Sequence, residues 1–519
     1  MYAKTHSASV FGISAFPVEI EAHIENGLPA FQIVGLPDGA IRESRERVLA
    51  ALKNSRYDVP PKRIVVNLAP ADVRKEGSAF DLSIAVGILG ALGHITLRED
   101  DASSTVMLGE LAFDGSLRPI HGVLPIAMML RSRGVRRLLV PSRNADEGAI
   151  VEGIDVIAVE SLTEAVAVLT GELVRKPHVV DIEAAFAGAS HTSALDMREV
   201  KGQQSVKRAL EIAAAGGHNI IMIGPPGAGK TMLAKRLPTI LPPLTLAESL
   251  ETTKIHSVAG LIPPGQALVS HRPFRSPHHT ISDSALVGGG VGTVRAGEIS
   301  LAHHGVLFLD EVPEFQRNVL EVLRQPLEDK CISISRSRMS VKYPANFMLV
   351  CSMNPCPCGH FGSPHHECQC KLADVQKYMS RISGPLLDRI DIHIDVPGVR
   401  VHELTSAPLG ESSSAIRSRV VRARAIQGER FHSQKQLFKN ADMMSKDIEC
   451  FCVLDSRGGA ILQQAMTKLG LSARAYDRIL KVSRTIADLA SSDSIECAHV
   501  AEAVQYRSLD RSMWLGAHS

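Results

Sequence analysis

The stretch Asn219-Ile-Ile-Met-Ile-Gly-Pro-Pro-Gly-Ala-Gly-Lys-Thr231 decides the fold of the central part of this chain. Its apolar residues Ile220 to Ile223 predict a short buried strand, and the apolar-periodic segment after Thr231 predicts a helix. Between them lies a glycine-rich loop whose backbone amides can surround a phosphate, because glycine carries no Cβ atom. The helix N-terminus adds free N–H groups and a favourable dipole. Strand, loop and helix together predict a nucleoside triphosphate site of the Walker A type.

The loop predicts specific contacts to ATP and Mg²⁺. Lys230 is expected to reach the β- and γ-phosphates, and the Thr231 hydroxyl is expected to hold Mg²⁺. The alternative is a glycine-rich turn without function. The residues predicted to bind the nucleotide are Gly224, Pro225, Pro226, Gly227, Ala228, Gly229, Lys230 and Thr231.

A second apolar run, Gly305-Val-Leu-Phe-Leu-Asp-Glu311, ends in two carboxylates. It predicts a buried strand with acids at its C-terminal edge, where open α/β sheets bind their ligands. Asp310 is expected to hold Mg²⁺ through water, and Glu311 to orient and deprotonate the attacking water. The alternative is a buried strand that merely ends in acids.

The composition describes an ordinary globular protein. The 519 residues predict about two to four domains. Hydrophobic content is 45%, charged content is 22% and the formal net charge is +2, so any nucleic-acid contact must come from a local basic surface. We see no signal peptide, and the longest apolar stretches, such as Leu82 to Leu92, fall short of a membrane span. A cytoplasmic protein without a membrane partner is expected.

Four of the nine cysteines lie close together, between Cys356 and Cys370. In a reducing compartment this clustering favours a metal over disulfides. Two Cys-x-Cys pairs can fold back to supply four thiolates in a tetrahedron, the geometry of structural Zn²⁺. The alternative is an unmetallated cluster. The predicted ligands are Cys356, Cys358, Cys368 and Cys370, with His360, His365 and His366 as possible substitutes.

Residues 1 to about 170 predict a compact α/β unit. Strands are expected at Val18–Ile24, Phe31–Val34, Arg63–Leu68, Thr105–Leu111, Arg137–Val140 and Val156–Val159, and helices at Ile41–Lys53 and Phe80–Leu92. Residues 171 to about 195 lose periodicity and predict a linker.

Two stretches of this unit, Lys75-Glu-Gly-Ser-Ala-Phe-Asp-Leu82 and the run from Met107 to Val123, resemble the C-terminal domain of Lon-type proteases. Those domains cleave peptides with a Ser–Lys dyad. This chain has Ala79 at the nucleophile position and Ile126 at the lysine position. A lone Ser78 without a base cannot be activated. A non-proteolytic relative is therefore expected.

Further motifs resemble the AAA+ superfamily. The strand Asn346–Asn354 ends at the sensor 1 position, so Asn354 is expected to help place the water near the γ-phosphate. The segment from Arg381 to Asp391 resembles the one that presents an arginine finger; Arg389 is the first choice and Arg381 the second. The segment Leu471-Ser-Ala-Arg-Ala-Tyr-Asp-Arg-Ile-Leu480 resembles the helix start that carries sensor 2, with Arg474 the better match and Arg478 one turn later. Each of these arginines has the alternative of a solvated surface residue.

The interval of 80 residues from Lys230 to Asp310 leaves room for an extra element. Its sequence resembles the helix-2 insert of magnesium-chelatase-like AAA+ proteins. The segment Cys331–Tyr343 predicts two short strands around a basic tip and resembles a pre-sensor-1 hairpin. In related ring helicases such hairpins grip DNA in the central pore. Arg336, Arg338 and Lys342 are the expected phosphate contacts. A solvated hairpin is the alternative.

Together these features resemble the ComM/YifB family of magnesium-chelatase-like AAA+ ATPases over nearly the whole chain. The resemblance implies an α/β protein with an N-terminal Lon-protease-like (ribosomal S5-like) α/β domain at 1–170 and a linker at 171–195. A central AAA+ P-loop α/β domain with a zinc-binding insert follows at 196–397, and a C-terminal helical lid at 398–519.

The resemblance also implies an activity. It predicts a homo-hexameric ring that hydrolyses ATP and moves single-stranded and branched DNA, a helicase that promotes branch migration of recombination intermediates during natural transformation. Three alternatives stand beside it: a magnesium-chelatase-type motor subunit, an ATP-dependent protease or chaperone-like protein, and a non-enzymatic ATP-sensing scaffold.

Overall fold

The computed structural model describes residues 1–96, 104–187, 195–263, 265–290, 294–336, 339–362, 366–398, 410–432, 434 and 437–507. Within these residues the chain is a mixed α/β protein with parallel sheets and a helical C-terminal part. Among their helices, none combines the length and the hydropathy that crossing a bilayer requires.

Residues 1–96 and 104–187, the described N-terminal part, contain three sheets. Its strands are β1 (Tyr2–Phe11), β2 (Ser14–Glu25), β3 (Ala30–Val34), β4 (Arg63–Ala69), β5 (Thr105–Met107), β6 (Glu110–Leu111), β7 (Leu117–Arg118), β8 (Arg137–Pro141) and β9 (Asp155–Val159). Their spatial orders are β1-β2-β4-β3, β5-β8-β9 and β6-β7. Its helices are α1 (Gly39–Asn54), α2 (Asp81–Leu92), α3 (Val123–Ser132), α4 (Ala145–Ala149), α5 (Leu162–Thr170) and α6 (Ile182–Ala187).

Helix α2 forms the centre of this part. It is buried on almost every face, which explains why its sequence is an apolar run without an amphipathic period. Asp81, at its first turn, is fully buried and accepts a bond of 2.6 Å from Nε of Arg47. The guanidinium compensates the carboxylate, because an unpaired buried charge would be costly. The helix predicted over Phe80–Leu92 is confirmed, with its start at Asp81.

Two strand predictions differ from the structure. Strand β1 was not expected, yet it pairs with β2 along its whole length in an antiparallel register. The single strand expected at Thr105–Leu111 is two strands, because the chain turns away at Gly109, whose N–H donates to the Ala79 carbonyl at 2.9 Å. The other predicted strands of this part, and the helix Ile41–Lys53, are confirmed with shifted ends.

The segment expected to be a linker is partly structured. The backbone N–H of His178 donates to the Val156 carbonyl at 2.8 Å, and its Nε2 lies 2.7 Å from Oδ1 of Asp146. Helix α6 follows, and Ile182 packs against the apolar cluster under β8 and β9. A sequence without periodicity is therefore held here by contacts with distant residues.

The central part is built on one parallel sheet. Its strands are β10 (Ile220–Ile223), β11 (Phe274–Arg275), β14 (Val306–Leu309), β17 (Met348–Met353) and β18 (Ile392–Asp395), with the short pair β12 (Gly288–Gly289) and β13 (Arg295–Ala296) beside it. The spatial order is β11-β14-β17-β10-β18. Every residue of β10, β14 and β17 is buried, which accounts for their continuous apolar runs.

Short helices cover this sheet and connect its strands. They are α7 (Gln204–Gly216), α8 (Lys230–Arg236), α9 (Leu246–Val258), α10 (Asp283–Val287), α11 (Glu298–Leu301), α12 (Arg317–Glu321), α13 (Arg324–Asp329), α14 (Leu372–Met379) and α15 (Gly384–Leu387). Helix α9 also packs against α3 of the N-terminal part, where the Gly122 N–H donates to the Ser257 carbonyl at 3.2 Å.

The predicted hairpin consists of β15 (Cys331–Arg336) and β16 (Met339–Pro344), paired antiparallel. Its base is anchored: Val341 and Tyr343 are buried, and the Tyr343 hydroxyl donates to the Val294 carbonyl at 2.7 Å. The turn between β1 and β2 packs on it. A Cβ atom at Gly12, whose φ is +61°, would lie 2.3 Å from Cγ1 of Val341. The N-terminal part therefore contacts the hairpin directly.

The C-terminal part is helical, as predicted. Its helices are α16 (Ser413–Arg430), α17 (Ser445–Phe451), α18 (Ser456–Leu469), α19 (Ala473–Leu489) and α20 (Cys497–Gln505). Val420, Ile479 and Ile486 join Ile220 and Phe308 in one apolar cluster, so these helices complete the core on one face of the central sheet.

Candidate nucleotide site and four-cysteine element

The glycine-rich loop follows β10 at the C-terminal edge of the central sheet. Gly227 and Gly229 have φ values of +76° and +84°, which β-carbon-bearing residues rarely adopt. Gly224 is required for a different reason: a Cβ atom there would lie 2.2 Å from the Val396 carbonyl oxygen. The loop thus has the turn and the exposed backbone that a phosphate cradle needs.

Lys230 opens helix α8 and points back into the loop. Its Nζ donates to the carbonyls of Gly224 at 2.7 Å and Pro225 at 3.0 Å, and to Oδ1 of Asn354 at 3.1 Å. Burial lowers the pKa of Lys230, while the nearby charges of Asp310 and Glu311 oppose that shift. The structure brings the predicted phosphate-binding lysine and the predicted sensor 1 residue into direct contact.

The predicted Mg²⁺ ligands also lie together. The Thr231 hydroxyl donates to Oδ2 of Asp310 at 2.6 Å. The other carboxylate oxygen accepts from the Ser352 hydroxyl and from the backbone N–H of Glu311. A hydroxyl and a carboxylate in contact at the mouth of the loop form the oxygen donor set that Mg²⁺ requires, so these residues fit the ion.

Glu311 has a left-handed backbone, with φ at +53°. For a residue other than glycine this costs about 1–2 kcal/mol. Its side chain is 56% exposed, and Nδ1 of His279 lies 3.9 Å from Oε2. Strain of this kind is typical of functional sites. The exposed carboxylate is accessible to water, as the predicted role of Glu311 requires.

Three residues of the site were not predicted from the sequence. The Gln203 side chain donates to the carbonyls of Ala228 at 2.8 Å and Pro397 at 3.3 Å, and so ties the loop to the end of β18. Ser352 holds Asp310, and His279 lies beside Glu311. These residues come from separate elements, and only the position of Ser352 two residues before Asn354 was a signal in the sequence.

The predicted arginines lie elsewhere. Arg389 is buried and pairs with Glu328, and its Nη1 donates to the Pro385 carbonyl at 2.5 Å. Arg474 pairs with Asp388 at 3.2 Å and Arg478 with Asp391 at 2.7 Å. These ion pairs lie in one cluster near the start of β18.

That cluster lies at the N-terminal ends of β10 and β18, whereas the glycine loop lies at the C-terminal end of β10. Asp391 donates its N–H to the carbonyl of Asn219, which precedes β10, whereas Gly224 follows β10. A strand of four residues spans about 13 Å. The structure therefore does not bring Arg389, Arg474 or Arg478 to the loop of their own chain.

Arg381, the second choice for the arginine finger, contacts the segment after Glu311. Its Nη1 donates to the Pro313 carbonyl at 2.9 Å and to Oε2 of Glu314 at 3.1 Å. Its side chain is half exposed. The assignment of a finger to Arg389 or Arg381 stays a prediction, because it concerns a second subunit.

The four predicted cysteines form one cluster. Their sulfur atoms lie within 4.8 Å of one another, and Sγ of Cys356 is 3.3 Å from that of Cys358 and 3.7 Å from that of Cys368. Four sulfurs at about 2.3 Å from a tetrahedral Zn²⁺ would be about 3.8 Å apart. The backbone N–H of Phe361 donates to Cys356 Sγ at 3.3 Å, a contact that stabilises a metal-bound thiolate. The cluster fits Zn²⁺.

The histidines near this cluster are not needed for it. His360 and His366 have ring centroids 4.9 Å apart, and the four sulfurs form the donor group without them. His365 lies outside the described residues.

The predicted DNA-contacting residues are only partly described. Lys342 is exposed on β16. Arg336 ends β15, and Arg338 lies outside the described residues.

The degenerate dyad positions are apolar in their surroundings as well. Ala79 and Ile126 belong to the same apolar cluster. The Ser78 hydroxyl donates to the Glu110 carboxylate. Among the described residues, the lysine position thus lies in an apolar cluster and Ser78 pairs with a carboxylate; the expectation of a non-proteolytic domain stays a prediction.

Three family models match the chain. They are described as the magnesium chelatase subunit ChlI over residues 196–404, subunit ChlI of Mg-chelatase over 20–144, and the C-terminal part of that subunit over 410–507. The competence protein ComM of Haemophilus influenzae is 43% identical over 517 residues, 98% of each chain. The protein YifB of Salmonella typhimurium is 43% identical over 510 residues, covering 98% of this chain and 97% of its own. The magnesium-chelatase 38 kDa subunit of Rhodobacter capsulatus is 23% identical over 194 residues, 34% of this chain and 55% of its own.

Proposed function

The chain belongs to the ComM/YifB family of magnesium-chelatase-like proteins, and from this premise we propose that it is an ATP-driven, ring-shaped DNA motor. Its task is to promote branch migration of recombination intermediates during natural transformation. The name of the Haemophilus influenzae relative, a competence protein, supports this direction, since the two chains align over nearly their full lengths.

ATP hydrolysis is the best-supported part of the proposal. Thr231 and Asp310 would hold Mg²⁺, which neutralises charge on the phosphates. Lys230 stabilises the developing negative charge, and Asn354, in contact with its Nζ, positions the attacking water. Glu311 orients that water and accepts its proton.

In a ring, a neighbouring subunit can bring to the nucleotide the arginines that the same chain does not place at its own glycine loop. Arg389 and Arg474 lie at the far edge of the sheet from the glycine loop, so in a ring they serve the nucleotide of a neighbouring subunit. A homo-hexamer is the proposed state. Mixing Lys230→Ala with Arg474→Ala protein tests this arrangement, because mixed rings regain some interfaces with both residues intact. Turnover above that of either variant alone is expected, and no recovery would contradict a shared site.

One observation carries the DNA step. The hairpin β15–β16 lies in the chain between Glu311, from which α12 and α13 separate it, and β17, the strand that leads into Asn354. We propose that a shift of the carboxylates or of Asn354 during hydrolysis moves the hairpin through its anchored base. Arg336, Arg338 and Lys342 are the proposed contacts to DNA phosphates.

ATP turnover with and without single-stranded and branched DNA tests this step. DNA is expected to stimulate the wild type, and Arg336→Ala/Arg338→Ala is expected to lose that stimulation while keeping basal turnover. Arg131→Ala/Arg133→Ala, with the same loss of charge on an exposed surface of the N-terminal part, is the matched control. Loss of stimulation in the control as well would show a general charge effect instead.

The match to the magnesium-chelatase subunit supports one alternative, a motor for Mg²⁺ insertion into a porphyrin. That alternative predicts robust turnover without any response to DNA. A protease is opposed by the surroundings of Ala79 and Ile126, and ATP-dependent casein hydrolysis would revive it.

A further inference from the structure

The four-cysteine element, defined here as residues 356–362 and 366–370, contacts the nucleotide loop. Gly359 has φ at +84°, and a Cβ atom there would lie 2.5 Å from Cδ and 2.7 Å from Cγ of Pro226. The proline ring is stiff and belongs to the loop itself. The turn of the element at Gly359 therefore packs so closely against Pro226 of the loop that no methyl group fits between them.

A second connection runs through the sensor residue. Asn354, which accepts from Lys230, is only two residues before Cys356. Burial raises the pKa of Tyr378, on the helix that follows the element, and the nearby backbone N–H of Asn354 opposes that rise, so the two residues lie close together. The element is thus enclosed between two contacts with the nucleotide site, one at Pro226 and one at Asn354.

The rest of the loop is held by the end of the sheet. Gly224 packs on the Val396 carbonyl, and Gln203 binds the Ala228 carbonyl. Pro226 lies between these two positions along the loop, and Gly359 of the element packs against it. If the element loses its fold, Pro226 loses the residue that packs against it, while Gly224 and Ala228 keep their contacts.

We propose that the metal-loaded four-cysteine element is a positioning element for the nucleotide loop, so that metal loading sets the affinity for ATP. This inference deepens the proposed ATPase and rests on it. A Zn²⁺ bound to four thiolates has no open position for chemistry, so its effect is to fix the fold of the element. Without the metal the four thiols are not linked to one another, so the turn at Gly359 is free to move away from Pro226.

Two glycines of the same element give a matched pair of variants. Gly359 and Gly362 both have positive φ, at +84° and +73°, but a Cβ atom at Gly362 meets no atom of the described residues within 4 Å. Gly359→Ala must therefore displace the loop and the element relative to each other, whereas Gly362→Ala adds only the strain of a left-handed backbone. The probe is a fluorescent ATP analogue titrated into the full-length protein, with zinc content measured on the same samples.

Gly359→Ala is expected to keep its zinc and to bind the analogue about tenfold or more weakly, because a displaced loop loses at least one hydrogen bond to a charged phosphate. Gly362→Ala is expected to stay within about twofold of the wild type in both measurements. Equal affinity of Gly359→Ala and wild type would overturn the proposal. A Gly359→Ala protein that loses its zinc supports it only if the wild type behaves as described next.

Zinc removal from the wild type is the second test. A chelator is expected to lower the affinity for the analogue, and added Zn²⁺ is expected to restore it; unchanged affinity in the zinc-free, folded protein overturns the proposal. A wild type that does not bind the analogue at all would instead refute the ATPase. Circular dichroism of each sample separates a local effect from unfolding.

Discussion

Replacing Arg478 with Met is expected to destabilise the protein by about 3–5 kcal/mol, the cost of removing one partner of a buried ion pair. The Asp391 carboxylate is 1% exposed, and Nη1 of Arg478 lies 2.7 Å from its Oδ1. His218 also contacts it, at 3.2 Å, but burial lowers the pKa of His218, so this ring supplies a hydrogen bond and no full charge. Without Arg478 the carboxylate loses its contacting cation.

The measurement is thermal unfolding, with Arg474→Met as the control. A loss of about 3 kcal/mol lowers the melting temperature by about 6–12 °C for a cooperative unit of about 150–250 residues. Arg474 is 65% exposed and pairs at the surface with Asp388, so its replacement should cost less than about 1 kcal/mol. Adding Asp391→Asn to Arg478→Met should recover part of the stability.

The same two variants separate structure from catalysis. If Arg474 is the sensor 2 residue, Arg474→Met should lower ATP turnover at least about tenfold, or about 1.4 kcal/mol of transition-state stabilisation, in a protein of normal stability. An Arg478→Met protein that melts within about 2 °C of the wild type would refute the account of the Asp391 cluster. Normal turnover in Arg474→Met would refute the sensor assignment.

The remaining predictions concern three other sites. Burial, with the adjacent His303, lowers the pKa of His304 to about 4. The pKa of a histidine in the unfolded chain is about 6.5. Between pH 6.5 and pH 4 the unfolded chain therefore binds more protons than the folded one, so the free energy of unfolding falls as the pH drops from about 6.5 to about 4. His304→Asn should flatten this part of the dependence of the urea midpoint on pH. Cys368→Ser should abolish zinc retention, and Cys450→Ser, at an exposed position, should leave one zinc per chain. Gly12→Ala should lower the melting temperature more than Gly134→Ala, since both have positive φ but only Gly12 meets the hairpin; equal shifts would contradict that contact.

The parts of the site that the sequence predicted are those determined by a few neighbouring residues. Lys230 and Thr231 lie where the loop and helix start require, and Asp310 follows a strand of four apolar residues. The cysteine cluster was predictable for the same reason, because two close pairs in one loop need only fold back once.

The parts that were missed depend on contacts between distant residues. Gln203 reaches the nucleotide loop from its own position before α7, and His279 reaches Glu311 from the segment after β11. The pairing of β1 with β2 likewise depends on a partner rather than on a strong alternating pattern. The burial of Arg389 and its ion pair with Glu328 depend on packing between separate elements, which the local sequence does not predict.

Branch migration of a synthetic four-way DNA junction tests the central claim most directly. Wild-type protein with ATP is expected to convert the junction to duplex products. Glu311→Gln is expected to bind ATP and DNA without converting it, and Lys230→Ala is expected to be inactive. Conversion by Glu311→Gln at the wild-type rate would contradict an ATP-driven motor. A wild type that hydrolyses ATP but leaves every junction and forked substrate intact would contradict the DNA function.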